Sequence, residues 1–136
     1  MSDYTPCNKL PHAREYCELR RLAGMSSKTP EAASRGLPNS LFCTTIRRDE
    51  QLVAMGRVVG DGGCNYEIVD VAVHPAYQRQ GLGSQIMAAI MAFIRADATP
   101  SAYVSLIADD ASPALYEKFG FAPTAPRSIG MAQRID

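Results

Sequence analysis

The residues of this chain whose types and spacing could bind a charged ligand lie between positions 78 and 84. Gly81 and Gly83 allow a sharp turn there, and apolar residues at helical spacing follow directly. A glycine loop at a helix N-terminus can direct several backbone N–H groups at one point, where the positive end of the helix dipole attracts an anion. The sequence therefore predicts an anion-binding loop between a strand and a helix.

Two common phosphate-binding patterns do not match this loop. A P-loop requires a Gly-Lys pair, which the chain lacks. A dinucleotide fingerprint requires a third small residue three positions after Gly83, where the chain has Ile86. The remaining pattern is Gln/Arg-x-x-Gly-x-Gly/Ala, and the chain matches it as Gln78-x-x-Gly81-x-Gly83.

Through this motif the sequence resembles the GCN5-related N-acetyltransferase (GNAT) superfamily, whose acetyl-coenzyme A pyrophosphate lies in such a loop. The resemblance implies cofactor contacts from Gln78, Arg79, Gln80, Gly81, Leu82, Gly83 and Ser84. Arg79 is the expected side-chain partner of a phosphate, with a solvated arginine as the alternative. The resemblance also implies that the main chain of Val71, Ala72 and Val73 holds the pantetheine arm and polarises the thioester carbonyl.

A second motif, Leu-Tyr-Glu-Lys-Phe-Gly-Phe at residues 115–121, extends the resemblance. In GNAT sequences the tyrosine of such a motif points at the coenzyme A sulfur, which implies a catalytic role for Tyr116. A tyrosine hydroxyl, whose ordinary pKa is about 10, can protonate a departing thiolate. A half-buried packing role is the alternative. Asp109 stands where many relatives have asparagine, so the resemblance assigns its side chain no role.

Two carboxylates on the strand before the loop are candidates for the general base, Glu67 and Asp70. They are three positions apart, so strand alternation predicts that they point to opposite faces of the sheet unless a bulge intervenes. Glu67 is the preferred candidate, because its offset of eleven residues before Gln78 resembles that of the glutamate base in the histone-acetylating branch. An ordinary solvent-facing carboxylate is the alternative, and His74 fits a solvated loop position.

Composition narrows the class of protein. The 136 residues are 46% apolar and carry 14 basic and 14 acidic side chains, which suits one domain with its own core and gives no sign of nucleic-acid or membrane binding. The four cysteines form no Cys-x-x-Cys pair, so no metal site is expected and free thiols in a reducing cytoplasm are favoured. We expect neither a signal peptide nor a membrane-spanning segment.

The remaining pattern predicts elements that would position these residues. An edge strand at residues 3–7 and an amphipathic helix at 12–22 are followed by a polar segment, residues 25–38, with a short helix at 30–34. Three strands between residues 41 and 73, joined by turns at 49–50 and 60–63, form an antiparallel meander. Further predicted elements are a helix at 84–96, a strand at 102–107, a helix at 109–119 and a last strand at 129–135.

Together these features predict an α/β (α+β) chain with the GNAT fold, a mixed, mostly antiparallel sheet flanked by helices, with a splayed central strand pair. Residues 1–136 are expected to form one domain. The implied activity is acetyl transfer from acetyl-CoA to a primary amine of a small molecule by direct attack. A protein or peptide acetyltransferase and a non-catalytic acyl-CoA sensor are the alternatives, and a homodimer is expected only by analogy.

Overall fold

The computed structural model describes residues 3–109 and 112–136. These residues fall into two compact units, of which the first ends at Leu106 and the second covers Ile107–Asp136. The strands and helices of the first unit, in chain order, are β1 (Tyr4–Cys7), α1 (Ala13–Leu22), α2 (Pro30–Gly36), β2 (Phe42–Arg48), β3 (Gln51–Gly60), β4 (Asn65–Val73), α3 (Leu82–Asp97) and β5 (Tyr103–Leu106). Within the described residues, no helix is long and apolar enough to cross a membrane.

The five strands form one sheet in the order β1-β2-β3-β4-β5. The first four pair antiparallel, as the predicted meander requires, and β5 runs parallel to β4. This confirms the mixed, mostly antiparallel sheet. The pairing with β5 covers only Asn65–Ile68, so the C-terminal half of β4 continues past its neighbour. Past Ile68, β4 therefore runs toward the anion loop without pairing to β5.

Helix α3 covers one face of the sheet. The helix is apolar along a broad stripe that includes Ile86 and Ile90, both buried. A Cβ atom at Gly56 of β3 would lie 2.5 Å from Ile86 Cγ2 and 2.9 Å from Ile90 Cδ1, so only a glycine permits this close approach. Phe93 of α3 stacks on Phe42 with ring centroids 4.7 Å apart.

Helices α1 and α2 cover the opposite face. Their buried side chains pack on those of β3 and β4 in a cluster of Tyr16, Leu19, Ala33, Leu37, Leu52, Met55 and Ala72. Complete burial of a large apolar side chain stabilises a fold by about 1.5–3 kcal/mol. The amphipathic helix predicted at residues 12–22 is confirmed as α1, whose buried side chains face the sheet.

The second unit contains the helix α4 (Pro113–Glu117). The predicted helix at 109–119 is longer than this, although residues 110 and 111 lie outside the described residues. Gly120 has a φ of +89° just after α4, as a helix-ending glycine should. The predicted strand at 129–135 is wrong, because no strand is present there. The apolar side chains that suggested it, Ile129, Met131 and Ile135, are 69–87% exposed and pack on no core.

Candidate active site

The anion loop ends in a left-handed glycine that starts α3. Gly81 has a φ of +82° and is the N-cap residue, and Arg79 also has a positive φ of +65°. The first intrahelical hydrogen bond joins Gln85 N to Gly81 O at 3.1 Å. The helix begins two residues earlier than predicted, so Leu82 and Gly83 lie in its first turn. Their N–H groups precede the first intrahelical donor and are directed toward the loop.

The loop leaves room for a ligand. An added Cβ at Gly81 would have no heavy atom within 4 Å, so the backbone there borders open space. The side chain of Arg79 is exposed beside it. Backbone donors, a helix N-terminus and a guanidinium suit a pyrophosphate. These residues therefore fit the phosphate end of acetyl-CoA.

Two amide side chains fasten the loop to the sheet. Gln78 Nε2 donates to the carbonyl of Val73 at 3.1 Å, and Gln80 Oε1 accepts a hydrogen bond from the Tyr4 hydroxyl. His74 N donates to Val53 O at 2.8 Å, which fixes the end of β4 against β3. Both ends of the loop are thus tied to strands, a role for the glutamines that the sequence did not suggest.

A β-bulge in β4 decides which side chains face which helix. Met55 pairs with Ala72, whereas Arg57 pairs with Val69, so Gly56 alone faces two residues of β4. Asp70 lies at this point with a φ of +60°. A bulge inserts one extra residue and reverses the alternation beyond it.

Glu67 and Asp70 consequently share one face of the sheet. Asp70 contacts Arg20 of α1, and the Arg57 guanidinium lies over the ring of Tyr16, also on α1. Glu67 pairs with Val59, two residues from Arg57 on the same strand, so it projects to the α1 side as well. The prediction placed the two carboxylates on opposite faces unless a bulge intervened, and the bulge at Asp70 is that exception.

The carboxylate of Asp70 is enclosed by two arginines. Its side chain is 5% exposed; Arg20 Nη1 donates to Oδ1, and Arg57 Nε donates to Oδ2 at 2.6 Å. Tyr16 lies beside this group, and its burial and the negative charge of Asp70 raise the pKa of the Tyr16 phenol to about 12. With both oxygens engaged, Asp70 is poorly placed to accept a proton from a substrate, and its contacts favour a structural role.

Glu67, in contrast, is half-buried and open to a ligand. Within residues 3–109 and 112–136 its carboxylate has no hydrogen bond or ion pair. A carboxylate without a protein partner can take up a proton through water, as a general base must. The structure therefore separates the two carboxylates by their contacts, which the sequence could not do.

The main chain of Val73 points away from β3. Ladder alternation turns its N–H and C=O to the other side, since His74 N bonds β3 and Val73 O accepts from Gln78. This side is the one on which β5 pairs only as far as Ile68. The predicted cofactor segment Val71, Ala72 and Val73 therefore lies along a strand edge that β5 does not pair.

Tyr116 belongs to the second unit. It lies on α4 with 8% of its surface exposed, and burial raises the pKa of its phenol above the ordinary value of 10. Ser112, which precedes the helix, acts in the opposite direction by hydrogen bonding, and Asp109 raises the pKa further by its charge. The hydroxyl consequently stays protonated through neutral and mildly alkaline pH, as a proton donor requires.

The buried residues that surround Asp70 were not predicted from the sequence. Arg57 and Tyr16 border a narrow crevice beside Asp70, and Arg20 bonds the carboxylate of Asp70. The only signal in the sequence was an arginine on the otherwise apolar face of the predicted first helix. Its partner lies fifty residues away, so the pairing had no local signature.

This chain is similar in sequence and in structure to known acetyltransferases. The model of the acetyltransferase (GNAT) family matches residues 8–121. A crystal structure of a "Probable Acetyltransferase" of unknown function from meticillin-resistant Staphylococcus aureus has 49% identity and a TM-score of 0.95, covering 97% of this chain and 99% of the other. A GNAT-family protein from Streptococcus pneumoniae has 23% identity and a TM-score of 0.78, with 98% of both chains covered.

A curated relative is more distant. The "Uncharacterized N-acetyltransferase ycf52-like" of Prochlorococcus marinus is 30% identical over 78 residues, which is 54% of this chain. The match spans 43% of that relative's own length.

Proposed function

Because the chain belongs to the acetyltransferase (GNAT) family, we propose that it is an acetyl-CoA-dependent N-acetyltransferase that acts on a primary amine of a small molecule. The observation that carries the proposal is the loop at the start of α3, where Gly81 turns left-handed beside open space and Arg79 is exposed. The unpaired edge of β4 leads directly into this loop. An anion site and a free strand edge in succession suit a substrate with a pyrophosphate followed by an amide-containing arm.

Acetyl-CoA is bound and oriented mainly by main-chain groups. The first-turn N–H groups at residues 82–84 and the Arg79 side chain hold the pyrophosphate, and residues 71–73 pair with the pantetheine arm. A main-chain N–H near the bulge donates to the thioester carbonyl and makes its carbon more electrophilic.

Proton transfer falls to two side chains. Glu67 takes a proton from the ammonium form of the acceptor through water, and the neutral amine attacks the thioester carbonyl carbon. As the C–N bond forms and the C–S bond breaks, Tyr116 donates its hydroxyl proton to the departing thiolate, and the surplus proton of the new amide nitrogen returns to the Tyr116 phenolate through water. Each positioned proton transfer contributes typically about 10²–10⁴-fold to the rate.

A panel of amines tests the proposal. Thiol release from acetyl-CoA would be measured with spermidine, phenylethylamine, lysine, glucosamine 6-phosphate and a lysine-containing peptide. Faster turnover with one of the small amines supports the proposal. A preference for the peptide would favour a protein acetyltransferase, and acetyl-CoA binding with no turnover on any amine would favour a sensor.

A substitution in the loop tests the cofactor site. Gly81→Asp adds a negative charge and a Cβ at a left-handed position, so acetyl-CoA should no longer stabilise the protein. In the wild type, acetyl-CoA at one hundred times its dissociation constant should add about 2.7 kcal/mol to the free energy of unfolding. Melting with and without acetyl-CoA measures this difference, and Gly83→Asp should behave alike.

Gly24→Asp is the matched control for this experiment. Gly24 also has a positive φ, +79°, with no heavy atom within 4 Å of an added Cβ, but it follows α1. The backbone strain should therefore be similar while the acetyl-CoA effect persists. If the stabilisation by acetyl-CoA survives in Gly81→Asp, the assignment of the loop is wrong.

The pH dependence of the ratio of turnover to acceptor KM tests the role of Glu67. Glu67→Gln should lower the ratio of turnover to acceptor KM most at neutral pH, where the amine is mainly ammonium. Raising the pH toward the pKa of the amine, about 10 for an alkylamine, should restore part of the rate. The pH profile of this ratio is the measurement, with Asp70→Asn compared at each pH. A pH-recoverable loss in Asp70→Asn, with a wild-type profile in Glu67→Gln, would assign the base to Asp70.

A further inference from the structure

The buried cluster around Asp70 reaches both ends of the polar segment between α1 and β2. Arg20 donates to Ser26 through Nε and Nη2, at 3.1 and 2.8 Å from the carbonyl and 3.0 Å from the hydroxyl. Arg57 Nη1 donates to Ser40 Oγ at 3.0 Å. Both arginines also hold the carboxylate of Asp70. One side chain of β4 is thus connected to the first and last parts of residues 26–40.

The same residue forms the bulge. A positive φ at a residue other than glycine persists where the surroundings fix it, and here two guanidinium groups hold the side chain of Asp70 in place. The bulge lies directly before Val71–Val73, the strand edge proposed to orient the thioester. The cluster therefore holds both the backbone of β4 directly before Val71 and the two ends of segment 26–40.

Ser26 and Ser40 bracket α2 and the turn that follows it. A backbone hydrogen bond also fixes each end, Met25 N to Arg20 O at 2.9 Å and Leu41 N to Val58 O at 2.8 Å. A guanidinium that donates two or three hydrogen bonds in a fixed plane defines orientation better than a single contact does. The two arginines are suited to set the position of this segment.

We propose that Asp70 is a positioning residue: through Arg20 and Arg57 it aligns the acceptor-binding segment 26–40 with the strand edge that holds the thioester. This inference rests on the proposed function: Glu67, the proposed base, projects to the α1 side of the sheet. Segment 26–40 packs on that same side through Ala33 and Leu37, so we assign it to the acceptor. Asp70 then acts through its neighbours and transfers no proton itself.

Arg20→Lys and Arg57→Lys test the alignment. Each change keeps a positive charge beside Asp70 and removes the planar fork that extends to Ser26 or Ser40. With the best small amine of the panel as probe, the acceptor KM should rise about 10-fold or more, because a segment that is no longer held in place binds the acceptor less tightly. The turnover number should fall as well, because small misplacements of a bound reactant are costly, whereas the dissociation constant of acetyl-CoA should stay within about threefold.

Arg47→Lys is the matched control. Arg47 joins β2 to α1 through a two-pronged pair with Glu15, at 2.8 and 2.6 Å, and contacts neither Asp70 nor the segment. Its acceptor KM should stay within about twofold of the wild type. An equal rise of the acceptor KM in Arg47→Lys would mean that any loosening of α1 has this effect, and the inference would fail.

A milder pair of variants covers the case in which an arginine variant does not fold. Ser26→Ala and Ser40→Ala remove only the hydroxyl groups that accept from Arg20 and Arg57, and each should raise the acceptor KM severalfold. Wild-type acceptor KM values in both serine variants would overturn the inference. A wild-type protein that does not bind acetyl-CoA in a melting assay would instead overturn the proposed function, so the two failures are distinguishable.

Discussion

Tyr116→Phe is expected to lower the turnover number by about 10²–10⁴-fold while acetyl-CoA binding changes little. The substitution keeps the aromatic ring on α4 and deletes only the hydroxyl, whose proton the departing thiolate needs. Because burial raises the pKa of this phenol above its ordinary value, the wild-type hydroxyl should remain protonated at neutral pH. Turnover at saturating substrates, with chemistry shown to limit the rate, is the measurement.

Tyr103→Phe provides the control for the loss of a hydroxyl. Tyr103 lies on β5 with 56% of its surface exposed, so its turnover number should equal that of the wild type. If Tyr116→Phe also retains wild-type turnover under rate-limiting chemistry, Tyr116 has a packing role and the acid is another group or water.

Asp70→Asn is expected to cost about 3–5 kcal/mol of unfolding free energy, the typical result of removing one partner from a buried ion pair. The asparagine cannot neutralise Arg20 and Arg57, whose side chains are 7% and 15% exposed. It also loses the ionic contacts that hold the positive φ of the bulge. Urea unfolding followed by circular dichroism would measure the change.

Glu15→Gln is a comparison in which the ion pair is more accessible. Glu15 and Arg47 are 24% and 28% exposed, so this variant should lose about 1 kcal/mol or less. Arg47 holds the pKa of Glu15 below its ordinary value, so the contribution of the pair is present above that value and is lost as the pH falls through the lower folded pKa. An Asp70→Asn variant that loses no more stability than Glu15→Gln would contradict the structural role of Asp70.

The order of the elements and the anion loop could be predicted from local pattern. Alternating runs, turn residues at 49–50 and 60–63, and the two glycines after β4 each act within a few residues. The resemblance supplied Tyr116 and the strand edge at 71–73. The contacts of the site, in contrast, join residues that are far apart in the chain.

The bulge illustrates why sequence alone is insufficient. Tyr66, Ile68, Asp70 and Ala72 are all buried, so burial alternates without a break along β4. Tyr66 nevertheless bonds Asp97 of α3, whereas Asp70 bonds Arg20 of α1. Between Tyr66 and Asp70, the buried side chains of β4 therefore switch from the α3 face of the sheet to the α1 face, although the pattern of buried residues stays regular. Only the register with β3 reveals the extra residue.

The prediction of a strand at residues 129–135 is wrong for a different reason. Its apolar residues alternate correctly, but the alternation reflects no buried face, since Ile129, Met131 and Ile135 are exposed. Alternation predicts a strand only where a neighbouring strand and a core are available. Neither condition can be read from these seven residues alone.

The absence of a side chain at Gly56 determines how closely α3 can approach the sheet. Gly56 faces the bulge of β4 across the ladder, and its missing side chain also lets Ile86 of α3 approach to within 2.5 Å of where a Cβ would be. A larger residue at position 56 would therefore push α3 away from the sheet, and with it the first turn of the helix, which borders the anion loop.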